Sequence, residues 1–148
     1  MGDYILWMPV ARLTRVVRFS AAHRYYRPDW GPEQNARVFG LCAREHGHGH
    51  TYRCAVTVAG EVAAETGMVM DLAALDRLLA EQVREPLDHR HLNHDVPEFA
   101  FGRTVPTAEA IAVWVWHRLA PRLPPGARLH AVRIEEDDDL FAEFLGDA

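Results

Sequence analysis

Alternation between apolar and polar positions is the first pattern in the chain. Leu13, Val17, Phe19 and Ala21 line one face of an extended run, interrupted by Arg15, and β-branched Val16 and Val17 reinforce it. A strand ending at His23 is predicted over residues 13–23. Alternation returns over residues 50–59, with His50, Tyr52, Cys54, Val56 and Val58 on one face and Thr51, Arg53, Ala55, Thr57 and Ala59 on the other. The period then changes. Leu72, Leu75, Leu78, Leu79 and Val83 recur at helical spacing behind Asp71, a suitable N-cap, and Pro86 is expected to stop that helix. Thr107 is expected to cap a second helix with an apolar stripe at Ile111, Val115 and Leu119, flanked by Trp114 and Trp116 and ended by Pro121. Pro124-Pro125-Gly126 marks a turn. Residues 129–134 and 140–145 then read as a hairpin joined by the acidic run 135–139.

The intervening stretches carry breakers. Residues 24–41 contain Pro28, Gly31, Pro32 and Gly40 and read as a long loop with a short helical turn around 33–38. Loops of that length inside a small domain tend to be functional. Residues 60–67 form a turn connection, and 87–106 read as irregular, with Pro97, Gly102 and Pro106. The resulting order is β-β-α-α-β-β. It predicts an α+β domain, an antiparallel four-stranded sheet with two helices on one face.

Composition narrows the class. With 148 residues, a single domain over 1–148 is expected. The chain is 49% hydrophobic and 25% charged, as in soluble globular proteins, and its formal charge of −5 gives no reason to expect nucleic acid or an acidic membrane surface as partner. An anionic substrate has to be met by a local Arg and His cluster. No apolar run approaches the ~20 residues of a membrane span, and residues 1–9 do not read as a signal peptide. Two cysteines, Cys42 and Cys54, form no disulfide framework, so a cytoplasmic protein with reduced thiols is expected.

Histidine changes the picture further. Six of the nine lie in two groups, His46/His48/His50 and His89/His91/His94. The first follows Cys42, alternates with glycine and leads into a strand. Two residues apart on a strand, side chains share a face at roughly 6.5–7 Å between Cα atoms. Two imidazoles at that spacing can converge on one ion, and the interposed glycine lets the backbone bend toward it. Both the His46/His48 and His48/His50 pairs satisfy this, but all three span ~13 Å on a straight strand. Two ligands from here and one from elsewhere is the favoured arrangement. His23, ending the preceding strand, is the best third candidate, since consecutive strands often pair; Cys42 is a competing ligand. Three histidines with an open position describe a catalytic zinc. A thiol beside such a site has a lowered pKa and serves as base or nucleophile. The plainer readings are a solvated His-rich loop and a hydrogen-bonded core histidine at His23.

Phe19-Ser20-Ala21-Ala22-His23, Val38-Phe39-Gly40-Leu41-Cys42, His48-Gly49-His50-Thr51-Tyr52, Thr66-Gly67-Met68-Val69-Met70-Asp71, Pro86-Leu87-Asp88-His89 and Thr107-Ala108-Glu109 together resemble the 6-pyruvoyl-tetrahydropterin synthase family. The segments occur in the family's order and cover residues 13–145. The resemblance implies zinc (Zn2+) held by His23, His48 and His50, with His46 left outside. It implies catalytic roles for Cys42 as base and for Asp88 and His89 as an acid/base pair. It implies Thr107, Glu109 and Glu135 as contacts to the pterin substrate, 7,8-dihydroneopterin triphosphate. For Glu109 the plainer reading is a carboxylate complementing a helix dipole; for Glu135 it is an exposed acidic turn.

The implied fold is the T-fold, with subunits joined into barrels as a homohexamer, a dimer of trimers, and active sites between subunits. The implied reaction is triphosphate elimination with internal tautomerisation, giving 6-pyruvoyl-tetrahydropterin. Five residues separate Cys42 from His48, the spacing of that branch. Three separate Cys42 from His46, the spacing of the related 6-carboxytetrahydropterin synthases of the queuosine pathway, which also release acetaldehyde. A non-catalytic metal- or pterin-binding T-fold protein is the third reading, and the joint presence of Cys42, Asp88 and His89 weighs against it. Cys54 is read as core, and His91, His94 and His117 receive no role.

Overall fold

In the computed structural model, which describes residues 8–147, two 14-residue strands form the backbone of the sheet. Strand β1 (Val10–His23) and strand β2 (His48–Glu61) pair antiparallel along their whole length, from Val10↔Glu61 to His23↔His48. Both run beyond the apolar alternation. The polar ends are held by ladder hydrogen bonds, so the pattern alone underestimates them. Strand β4 (Ala127–Glu135) pairs with β2, with a register shift at Thr57/Val58, and β5 (Phe141–Phe144) pairs with β4.

A short strand absent from the four-strand expectation, β3 (Arg90–His91), lies parallel to β1 at Ala21 and Ala22. The sheet order is therefore β3-β1-β2-β4-β5. The four longer strands keep the expected antiparallel arrangement. Two residues without periodicity could not have signalled the fifth.

One face of the sheet is apolar. Val17, Phe19, Ala21, Tyr52, Cys54, Val56 and Val58 are buried there with Val132 and Ile134 of β4. Phe19 and Tyr52, partners in the ladder, stack at 4.8 Å between ring centroids. Helix α2 (Leu72–Leu79) and helix α3 (Ala108–Leu119) cover this face, contributing Leu75, Leu79, Ile111, Val115 and Leu119. The other face keeps Thr14, Arg18, Thr51 and Arg53 exposed. The caps are as expected: Asp71 Oδ1 accepts from the Ala73 N–H, and Thr107 Oγ1 from the Ala110 N–H.

Pro86 does not stop the α2 segment. The chain widens into a π-turn over Ala80–Arg84 and continues helically through Glu85–Leu87. Proline offers no N–H to the carbonyl four residues back. That carbonyl, on Gln82, accepts instead from the Arg118 Nε–H of α3 at 2.9 Å. The expected long loop is also more ordered, holding helix α1 (Pro32–Phe39) and a 3-10 turn, Gly40–Ala43, that carries Cys42. Residues 87–106 likewise contain a helical turn, Leu92–Asp95, and a 3-10 turn, Pro97–Phe99. The expectation about a signal peptide concerns residues mostly outside those described.

Candidate metal centre and catalytic site

The ladder itself assembles the centre. His23 faces His48 across the β1–β2 register, and His50 lies on the same face opposite Ala21. The ligand atoms of His23, His48 and His50 lie within 4.8 Å of one another. Glycine permits this approach. A Cβ at Gly47, whose φ is +69°, would lie 2.5 Å from the His23 carbonyl oxygen. His46 is exposed in the preceding turn, outside the group.

Each imidazole is prepared for a cation. His23 is fully buried, and its Nδ1 lies 2.9 Å from the Pro106 carbonyl oxygen. A carbonyl can only accept, so the proton sits on Nδ1 and Nε2 is left as a lone-pair donor. Burial above all, offset by that hydrogen bond and aided by His48 and His50, pushes the His23 pKa down to about 4. His48 is lowered too, by burial and then His50. Neutral imidazole is the form that binds metal.

The Nε2 atoms of His23 and His48 stand 3.2 Å apart. Two ligands at ~2.0–2.1 Å from a tetrahedral ion are separated by roughly 3.4 Å. The His50 Nε2 is buried with no hydrogen-bond partner. Three converging imidazole nitrogens, one of them buried without a partner, fit a divalent cation of the zinc type.

Backbone contacts tie the Cys42 turn to Arg24 and Tyr25, the two residues that follow His23. The Tyr25 N–H donates to the Cys42 carbonyl at 2.9 Å, and the Arg24 Nε–H to the Ala43 carbonyl at 2.9 Å. Asn93 holds Arg24 in turn, accepting from its N–H at 2.7 Å and donating to its carbonyl at 3.1 Å. Burial, and then the Glu136 carboxylate, raise the thiol above its ordinary value. Protein groups therefore do not supply the lowering expected of a base, and that lowering would have to come from a bound cation.

The acidic run divides between the two faces of the sheet. Glu135, the expected substrate contact, follows core residue Ile134 on β4 and so lies on the opposite face, paired with Arg53 at 3.2 Å and Arg133 at 3.1 Å. Glu136, just past the strand, reaches the centre instead. It is 7% exposed, its Oε1 accepts from the Tyr25 hydroxyl at 3.0 Å, and its Oε2 lies 3.8 Å from His50 Nε2. Tyr25, Asn93 and Glu136 were missed by sequence reasoning. Only the buried acid had a signal, an acidic run whose register strand alternation could have fixed.

Thr107 spends its hydroxyl on the cap, at the N-terminus that Pro106 ties to His23. Glu109 is exposed in that first turn, and its charge is among those that raise the Tyr25 pKa, after burial and Glu136. Asp88 and His89 do not join this centre within the chain. Asp88 Oδ1 accepts from the Ser20 N–H at 2.8 Å and Oδ2 lies 2.9 Å from His89 Nδ1. These bonds, that from Ser20 first, hold the carboxyl below its usual range. His89 takes a positive φ of 57°, and its side chain is 84% exposed. Cys54 is fully buried, as expected of core. The His91 and His94 rings lie 4.2 Å apart, tilted by 40°, with Phe101 edge-on to His94.

Comparison with known proteins gives these positions a context. Residues 12–147 match the family model described as 6-pyruvoyl tetrahydropterin synthase. The 6-pyruvoyl tetrahydrobiopterin synthase of Homo sapiens is 42% identical over 137 residues, covering 93% of this chain and 92% of the human protein. The structure of Caenorhabditis elegans 6-pyruvoyl tetrahydropterin synthase superposes with a TM-score of 0.87 at 35% identity, covering 95% of this chain and 98% of that one. The 6-carboxy-5,6,7,8-tetrahydropterin synthase of Synechocystis is 40% identical over 110 residues, covering 72% of this chain and 78% of that protein.

Proposed function

The chain belongs to the 6-pyruvoyl tetrahydropterin synthase family, lyases of pterin biosynthesis with the T-fold, and from that premise we propose that it is a zinc-dependent lyase eliminating triphosphate from 7,8-dihydroneopterin triphosphate to form 6-pyruvoyl-tetrahydropterin. The observation that carries the reading is the convergence of His23, His48 and His50 with Cys42 and Glu136 around them.

His23, His48 and His50 would hold the zinc. Bound there, zinc would polarise the substrate's side-chain hydroxyls and stabilise negative charge developing beside them. Cys42, as thiolate, takes a carbon-bound proton of that side chain. Glu109 and Glu136 accept from the N–H donors of the pterin ring and orient it, and Thr107 fixes the helix end that presents Glu109.

Asp88 orients the His89 imidazole and stabilises its protonated form, and the pair moves protons at the side-chain oxygens in a neighbouring subunit. Exposure of His89 supports that division, as does β1, whose second edge pairs only at Ala21 and Ala22 among the described residues. Homohexamer formation would cover such an edge. A single domain over 1–148 and a cytoplasmic location, with Cys42 and Cys54 reduced, complete the reading. No helix among the described residues is long and apolar enough to cross a membrane.

The 6-carboxytetrahydropterin reading is second, favoured by the Synechocystis relative and the Cys42/His46 spacing. The exposed position of His46, outside the triad, supports the first. Zinc-loaded protein given dihydroneopterin triphosphate is expected to release triphosphate and no acetaldehyde. Stoichiometric acetaldehyde would select the second reading, and unchanged substrate would defeat both.

A further inference from the structure

Tyr25 lies at the meeting point of the metal centre, the Cys42 turn and the acidic residues, yet the proposed chemistry gives it no work. Its backbone N–H is committed to the Cys42 carbonyl at 2.9 Å. Its ring is pinned edge-on against His23, at 4.8 Å between centroids, and against Phe39 at 5.9 Å. The neighbouring Arg24 backbone is gripped on both sides by Asn93. The hydroxyl of a ring fixed in so many ways has little freedom, and it donates to Glu136 Oε1 at 3.0 Å.

Glu136, by contrast, follows the last residue of β4, at the start of the turn to β5, and carries a nearly buried carboxylate. Beyond Tyr25, its near neighbour is His50 Nε2, 3.8 Å from Oε2. An unheld carboxylate there is free to rotate toward the histidines. One held by a single oxygen presents the other in a defined direction. We propose that Tyr25 is the positioning residue for Glu136, its hydroxyl fixing Oε1 so that Oε2 is left to accept from an N–H of the pterin ring. The proposal rests on the reading of Glu136 as a ring contact and adds a residue outside the set expected from sequence.

A buried tyrosine hydroxyl commonly finds a partner for its own sake, so the test separates guidance of Glu136 from simple satisfaction. The probe is neopterin, without triphosphate, titrated into the zinc-loaded full chain. Tyr25→Phe removes one oxygen and leaves the ring and backbone N–H in place. The Kd for neopterin is expected to weaken about tenfold or more, as for loss of a hydrogen bond to a charged group, with the thermal unfolding midpoint close to wild type.

In a Glu136→Gln background, Tyr25→Phe is expected to add less than about twofold, because two changes acting through one group are not additive. An unchanged Kd in Tyr25→Phe overturns the proposal. So does the same weakening in both backgrounds, or failure of Tyr25→Phe to fold, which would make the hydroxyl structural. Binding of neopterin needs no turnover. A wild-type protein that binds neopterin but does not convert the triphosphate loses the lyase reading and leaves this inference standing on its own result.

Discussion

His23 carries both the chemistry of the centre and a stability cost. The unfolded chain protonates this imidazole near 6.5, whereas the folded chain resists until about 4. Between those values the unfolded state binds more protons, so stability falls as pH falls through that window. For chelated protein the loss is on the order of 3 kcal/mol from a shift of 6.5 to about 4. His48 and His91 are shifted in the same direction and add to it. Urea unfolding of metal-free protein across pH 7 to 4 checks this, and a flat midpoint would contradict the burial of His23 in neutral form.

At this scale the sequence was a good guide where residue type constrains chemistry: two histidines at strand spacing and a third at the end of the preceding strand, which the ladder brings together. It was a weaker guide where one position of register decides, as between Glu135 and Glu136, because five acidic residues in a row offer no contrast in residue type. Tyr25 and Asn93 were invisible because a tyrosine and an asparagine in a loop have many ordinary uses.

Elements place these residues, and glycine sets how closely two of them approach. The His-Gly-His alternation predicted the strand and the bend, but the reason is a close approach at Gly47, just before the ladder begins. Gly47→Ala would put a methyl 2.5 Å from the His23 carbonyl at a φ of +69°. The backbone conformation alone costs about 1–2 kcal/mol for an L-residue, and relief of the clash moves His48 away from His23. Lower urea stability together with weaker zinc affinity is therefore expected, the latter read by competition with a chromophoric chelator. Unaltered zinc affinity would show that the ladder does not set the ligand geometry. Helix existence was legible from period and caps at Asp71 and Thr107, whereas the passage through Pro86 was not. That passage depends on Arg118, 32 residues later in the chain, taking over the Gln82 carbonyl.

The molecule as a whole leaves a task unfinished. Cys42 is tied through its carbonyl to Tyr25, whose ring packs on His23, while Asp88 and His89 are anchored on Ser20 with the His89 ring in solvent. If a second copy brings His89 to the centre, Cys42→Ala and His89→Ala proteins, each reduced about 10²- to 10⁴-fold in turnover, should complement after mixed refolding. Random pairing restores intact sites to about a quarter of the total. No recovery would place both residues in one subunit's site. Assembly was not readable from periodicity, since a sheet edge looks alike in the sequence whether water or another strand covers it.

Most direct for the central claim is the mass of the product formed from dihydroneopterin triphosphate by the zinc-loaded protein, with no redox cofactor added. Elimination with internal tautomerisation predicts a product equal to the substrate less triphosphoric acid and nothing else. A product that has further lost acetaldehyde and gained water would contradict the pyruvoyl assignment, and substrate recovered intact would contradict the lyase itself.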